Sequence, residues 1–203
     1  MKLPNEYFLN EDVVALAKDL LGKVLYTNID GEVTAGIIVE TEAYFGIKDK
    51  ASHAYGGRRT NRTETMYSTG GISYVYLCYG MHHLFNVVTS VKDEPHAVLI
   101  RAVEPLVGLD LIEARRGMPI TKAAVSSGPG SAPKALGIDK SFNAKDLNGT
   151  EIWLEDHGIN YQENEIAATP RVGIAYAQEH AALPWRFFVK GNKYVSKPNK
   201  VVE

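Results

Sequence analysis

Hydrophobic and polar positions change period several times along this chain. Val13, Val14, Ala17, Leu20 and Leu21 recur at helical spacing, which predicts a helix over residues 11–21 with Asn10 as its N-cap and Gly22 at its C-terminal end. A strand follows over 23–29, Asp30-Gly31 reads as a tight hairpin turn, and 33–44 as the partner strand. Within IIVETEAY, alternation puts Ile38, Glu40, Glu42 and Tyr44 on one face and Val39, Thr41 and Ala43 on the other. Two carboxylates and a phenol sharing a strand face are unusual in a core, because a buried Glu must be paired or hydrogen-bonded. Taken alone, the segment reads equally well as an edge strand with solvated glutamates.

From 45 to 70 the periodicity dissolves into a polar loop containing GGRRTNRTET, a length usually reserved for functional or disordered loops. Tyr55, Met66 and Tyr67 inside it argue for packing. A second strong strand, ISYVYLC, places Tyr74, Tyr76 and Cys78 on one face, and Tyr79-Gly80-Met81 reads as a turn with two large side chains at its tip. The chain returns as a strand over 82–90, turns at 92–95, and continues as a nearly continuous apolar strand over 96–103 that Arg101 interrupts. An Arg in such a run is either paired with an acid or placed in a site. A helix is predicted over 106–116, closed by Gly117, and SSGPG at 126–130 leads into a short helix bearing Lys134. Strands are expected at 152–155, 172–177 and 186–190, with a loose tail from Lys197. The sum is one α+β domain spanning 1–203, with a curved, mainly antiparallel β-sheet flanked by helices.

Composition narrows this picture. A chain of 203 residues can bury one substantial core. Its single cysteine, Cys78, excludes an internal disulfide and fits a reducing interior. No apolar run approaches the ~20 residues of a membrane span, and MKLPNEYFLNED lacks a signal-peptide core. An intracellular location is therefore expected, cytoplasm or nucleoid in a bacterium, with no membrane partner. The formal charge of -2 argues against strong long-range attraction to nucleic acid, but it is unevenly spread. Lys48, Lys50, Arg58, Arg59 and Arg62 face Asp49 alone, and Arg186, Lys190, Lys193, Lys197 and Lys200 form a second cluster without an acid. Arg58 and Arg62 are the first candidates for contacts to a phosphate backbone.

Several chemistries are poorly supported. His82 and His83, adjacent on a strand, point to opposite faces and cannot both ligate one metal simply, so no metal is expected. Cys78 has no obvious basic activator. The Ser/Gly-rich loop lacks the spacing of a nucleotide-binding loop. No lysine falls within an apolar strand, where its pKa would drop for Schiff-base work. What remains is Glu42, Tyr44, His53, Tyr74, Tyr76 and Arg101, one base, one cation and several flat faces, a set suited to a planar heterocycle.

In order, VETEAY, SHAYGGRRTNR, YVYLCYGMHHLFN, LIRAVEPL, SGPG, ALGI, RVGI and FFVKG resemble the alkyladenine (3-methyladenine) DNA glycosylase family over residues 7–196. That resemblance implies a compact α+β domain, no metal or cofactor, and a monomer that excises alkylated or deaminated purines from double-stranded DNA by hydrolysis, without a lyase step. It places the general base on Glu42 and the purine pocket on Tyr44, His53 and Tyr76, with the Asn86 amide beside them. Arg101 and the backbone carbonyl of Val172 would help to hold the water, and Tyr79 would be the inserting wedge with Met81 next to it. One position departs from the pattern: Ser131 stands where the family usually has a basic residue, and Lys134 follows one helical turn later. Glu40 is expected to matter far less than Glu42. The competing expectation is a non-catalytic module that stacks single-stranded bases on Tyr44, Tyr74 and Tyr76, which would have no need for Glu42 beside Arg101. A two-carboxylate sugar glycosidase fits less well, since Glu40 and Glu42 approach from one side.

Overall fold

The structure is a computed structural model and describes residues 1–198. Helix α1 (Val13–Asp19) starts two residues later than the pattern suggests, because Asp12 rather than Asn10 is the cap: its carboxylate accepts from the Val14 and Ala15 N–H groups. Asn10 accepts from Asp12 N–H instead, at 2.9 Å. Strands β1 (Val24–Ile29) and β2 (Glu32–Tyr44) follow, joined at Asp30 and Gly31, both with positive φ as a two-residue hairpin turn demands. Thr41 donates to the Ala17 carbonyl at 2.7 Å and ties one side of β2 to α1, leaving the glutamates to face away from the helix.

Strands β3 (Ser73–Cys78), β4 (His82–Thr89) and β5 (His96–Val107) build the sheet outward, and β6 (Ile152–Glu155) closes its far edge in the order β3-β4-β5-β2-β1-β6. All the pairings are antiparallel. One edge of β2 pairs with β5; the other pairs with β1 along Glu32–Ile37 and then with β8 (Arg186–Val189) along Glu40–Glu42. β7 (Ile166–Thr169) extends β8, so the sheet forks at β2 and curls. The β2–β5 register is irregular at this fork: Ile38 pairs with Val103, Glu40 with Ala102 and Thr41 with Ile100, which leaves Val39 and then Arg101 without a partner. Such bulges bend a strand and re-aim side chains. Ile38 accordingly packs in the apolar core with Val39 rather than beside the glutamates.

Other expectations shift. β5 runs through Leu106, so α2 (Leu109–Arg116) begins after Gly108. Residues 172–177 are not a strand; they form a turn leading into the 3-10 segment Ala175–Ala182, and the strand that pairs with β8 is β7. The 45–70 loop carries 3-10 turns at Gly46–Lys48, Tyr55–Gly57 and Glu64–Tyr67, with Met66 and Tyr67 buried against Tyr74 and Val88, while Tyr55 is partly exposed. Ser196, just before the expected tail, is buried and hydrogen-bonded; of the tail itself only Lys197 and Pro198 are described, both exposed, with the Pro198 carbonyl accepting from Arg186, and residues 199–203 lie outside the described residues. No described helix is long and apolar enough to cross a membrane.

Asp12→Ala should cost about 1 kcal/mol of unfolding free energy in urea melts, and Asn10→Ala measurably less, since only Asp12 accepts two free N–H groups of the first helical turn.

Candidate active site

A cavity of about 710 Å³ opens where β2, β3, β4 and β5 meet the long loop, and it brings together nearly every site residue expected from the sequence: Glu42, Tyr44, His53, Arg62, Tyr76, Tyr79, Asn86, Arg101 and Val172. At its floor, Glu42 is fully buried with both carboxylate oxygens engaged. Oε1 accepts the Val172 N–H at 2.7 Å and lies 3.1 Å from Arg101 Nη1, while Oε2 accepts the Tyr44 hydroxyl at 2.8 Å. Val172 thus contacts Glu42 through its N–H, a bond separate from the water contact expected of its carbonyl.

Glu40 is neither solvated nor peripheral. Its Oε1 accepts from Arg101 Nε at 2.6 Å, Arg186 Nε at 2.8 Å and Ser196 Oγ at 2.8 Å, and its Oε2 accepts Ser196 N–H at 2.7 Å. The reading of an edge strand with solvated glutamates therefore fails, and loss of Glu40 would strand two buried guanidiniums. Arg186, counted from sequence in a basic surface cluster, is one of the largest fully buried side chains. Burial opposes the charge of Arg101, but Glu42 and Glu40 outweigh it and its pKa is raised.

The walls are aromatic. The His53 ring meets Tyr76 edge-on at 4.7 Å, and its Nδ1 lies 3.0 Å from the Tyr74 hydroxyl. Burial, reinforced by Arg62 and Arg58, lowers His53 to about 4, so the ring is neutral at physiological pH. Burial also raises Tyr44, Tyr74 and Tyr76, with Glu42 adding to the effect at Tyr44. The phenols therefore stay protonated donors. Asn86 donates its amide N–H to the Tyr74 carbonyl across the β3–β4 ladder while its side chain forms part of the wall. Tyr79 and Met81 stand at the hairpin tip, 89% and 71% exposed.

Arg171, which does not itself line the cavity, and Tyr176, which does, were not singled out from sequence. Arg171 chelates Asp49 through both terminal nitrogens, at 2.5 and 2.9 Å, and lies 4.8 Å from the Tyr44 ring centre, which fixes the turn carrying Val172. Tyr176 lines the cavity mouth, and Gly128–Ser131 forms one wall. Gly130 is required there, since a Cβ would sit 2.8 Å from the His82 ring. Lys134, on the one-turn helix α3 (Ser131–Ala135), is exposed and does not line the cavity. The cation beside Ser131 is Arg116, whose Nη2 donates to its hydroxyl at 3.1 Å. Within the basic loop, Arg59 is taken up by Glu64 and Asp93 and Lys50 by Glu179, whereas Arg58 and Arg62 make no ion pair among the described residues and Arg62 lies 5.0 Å from the Tyr76 ring centre. Lys200 of the second cluster lies outside the described residues. Among the described residues, no group of three or more His, Cys, Asp or Glu side chains is arranged to hold a metal.

A curled antiparallel sheet around an aromatic cavity with a carboxylate at its floor is the setting in which the comparisons fall. The sequence model of the methylpurine-DNA glycosylase (MPG) family matches residues 7–193. A Chlamydia abortus protein named "Putative 3-methyladenine DNA glycosylase" is 49% identical over 188 residues, covering 92% of this chain and 97% of its own length. Proteins with the same name from Natranaerobius thermophilus and Clostridium perfringens are 47% and 45% identical, each covering 97% of this chain and 99% and 100% of their own. The chain belongs to the methylpurine-DNA glycosylase family. It is a DNA glycosylase of base excision repair, and its substrate is DNA.

The low His53 pKa has a stability consequence with a definite sign. The unfolded chain takes up this proton near pH 6.5 and the folded chain only near 4, so the stabilisation is complete above pH 6.5 and is lost as pH falls toward 4. Between pH 7 and pH 5 the wild type should lose on the order of 1–2 kcal/mol more unfolding free energy than His53→Gln, measured by urea melts at both pH values.

Proposed function

We propose that this enzyme flips an alkylated or deaminated purine of the 3-methyladenine, 7-methylguanine, hypoxanthine and ethenoadenine class out of double-stranded DNA. It then hydrolyses the N-glycosidic bond with a water oriented by Glu42 and leaves an abasic site. The observation that carries this reading is the Glu42 carboxylate, held by the Val172 N–H, Arg101 and the Tyr44 hydroxyl at the floor of an aromatic-walled cavity. Cleavage of a purine–deoxyribose bond passes through an oxocarbenium-like sugar, and a fixed carboxylate both orients the water and balances that charge. An alkylated purine leaves readily because it already carries positive charge, and the faces of Tyr44 and Tyr76 favour such a ring. Asn86 would crowd the exocyclic amino group of guanine. No lysine lines the cavity among the described residues, which favours direct hydrolysis over a Schiff-base lyase route. The working unit we assign is a monomer.

A target base lies inside the stack, and glycosylases are among the enzymes that extrude it. Tyr79, with Met81 beside it, is the side chain we assign to the vacated space. Arg58 and Arg62, beside the cavity and free of ion pairs among the described residues, would meet the backbone phosphates. Lys134 could contribute only from outside the cavity wall.

Glu42→Gln should bind a lesion duplex about as well as the wild type and release no base, checked against the wild type, whose freed purine is identified by mass. Full activity in that variant would remove Glu42 from the mechanism. Tyr79→Ala should lose much more activity on a paired duplex than on the same lesion in single-stranded DNA, where no stack has to be opened. Equal losses on both substrates, together with a lower melting temperature, would instead mark Tyr79 as a packing residue.

A further inference from the structure

Arg101 can reach Glu42 productively only if its guanidinium is held in one orientation, and the other two edges of that group are already occupied. Nε donates to Glu40 at 2.6 Å, Nη2 donates to Ser196 Oγ at 3.2 Å, and Nη1 is left pointing at Glu42, 3.1 Å away. The Ser196 hydroxyl accepts from Arg101 and donates its own hydrogen bond to Glu40 Oε1 at 2.8 Å, so one small side chain joins the arginine to its anchor. Ser196 is itself held in place: its N–H donates to Glu40 Oε2, and its carbonyl accepts from Arg186 Nη2 at 2.9 Å. Arg186 also holds the Pro198 carbonyl at 2.6 Å. The bonds among Glu40, Arg101, Arg186 and Ser196 are buried and involve charged partners, the regime in which hydrogen bonds fix geometry most strongly.

We propose that Ser196, with Glu40, is a positioning residue: the C-terminal segment reaches back across the sheet to aim Arg101 at the catalytic carboxylate. This rests on Glu42 being the group that orients the water. Ser196 lies beyond residue 193, where the family match ends, and in sequence it is 156 residues from its partner Glu40. The segment is therefore part of the catalytic apparatus, although it contributes no atom to the cavity wall.

The test compares Ser196→Ala, Ser196→Thr, Glu40→Gln and Glu42→Gln in the full-length protein, on a duplex carrying a single hypoxanthine. Three quantities separate positioning from folding: the single-turnover rate normalised to the active fraction, the Kd for the duplex, and the melting temperature. Ser196→Ala should slow single-turnover excision about tenfold, the scale of a small misplacement at a reacting centre, with Kd and melting temperature near wild type. Ser196→Thr, which keeps the hydroxyl, should restore most of the rate. Glu40→Gln should fall further, because it also leaves buried positive charge unbalanced. A wild-type rate in Ser196→Ala alongside an inactive Glu42→Gln would overturn the positioning role and leave the base assignment standing. A slow Ser196→Ala that Ser196→Thr fails to rescue, or a rate that recovers on correction for active fraction, would also overturn it. Full activity in Glu42→Gln would overturn both.

Discussion

The structure turns on one guanidinium. Glu40 and Glu42 are fully buried on β2, and an unpaired carboxylate in that setting would cost several kcal/mol of lost hydration. Arg101 lies on the adjacent strand and bonds to both, while Arg186 comes in from the other edge to make the charges balance. A buried pair of this kind is weak evidence of net stabilisation, yet it selects one arrangement over all those that leave a charge unmatched. The irregular register between β2 and β5 belongs to the same requirement. Arg101 sits at the position the bulge leaves unpaired, so its side chain can leave the strict alternation of its apolar strand and meet the two glutamates.

Other features of the fold follow from serving that short stretch of β2. The sheet forks there because β8 must deliver Arg186 to Glu40, and β8 pairs with β2 only along Glu40–Glu42. On the cavity side, the turn before the Ala175–Ala182 segment supplies the Val172 N–H to Glu42. That turn is held by Arg171 gripping Asp49 of the long loop, with a further bond to the Ala43 carbonyl of β2 itself. The loop, the turn and the C-terminal segment are remote in sequence and share no local pattern, but each ends on a hydrogen bond to the same few residues. This convergence explains why a 26-residue stretch with little regular structure packs as tightly as it does around Met66 and Tyr67.

Legibility from sequence followed the range of the interactions. The hairpins at Asp30-Gly31 and Tyr79-Gly80 and the strongly alternating strands are local, and they stand where the pattern put them. Glu42, Tyr44, His53, Tyr76, Asn86, Arg101 and Val172, named from chemistry and family resemblance, line one cavity. What failed was long-range. Val172, Ile174 and Ala177 resemble strand residues, but Gly173 adopts a positive φ and the chain turns, because the place beside β8 is taken by the less apolar segment Ile166–Thr169. Leu106 reads as the start of a helix until β5 finds Ala35 and Gly36 to pair with. Glu40 was open to a solvated-edge reading and Arg186 to a surface one for the same reason: the place of each depends on the other and on Ser196, and neither partner is visible from its neighbours in the chain.

The hairpin tip shows the opposite balance. Tyr79 has φ of 50°, in a region that costs a non-glycine residue roughly 1–2 kcal/mol, and its ring is almost wholly exposed. Gly80, with φ of 71°, makes the second position of the turn easy, so the strain falls on the tyrosine alone. Nothing in the packing of the free protein compensates for this, since no described core cluster includes Tyr79. Strain held at a surface position points to use rather than to stability. A stacked pair of bases would bury the ring and recover the exposed apolar area, which the protein alone cannot do. The two halves of the site thus follow opposite logic: the carboxylate floor is over-determined by buried partners, and the tip is left unsatisfied by the protein itself.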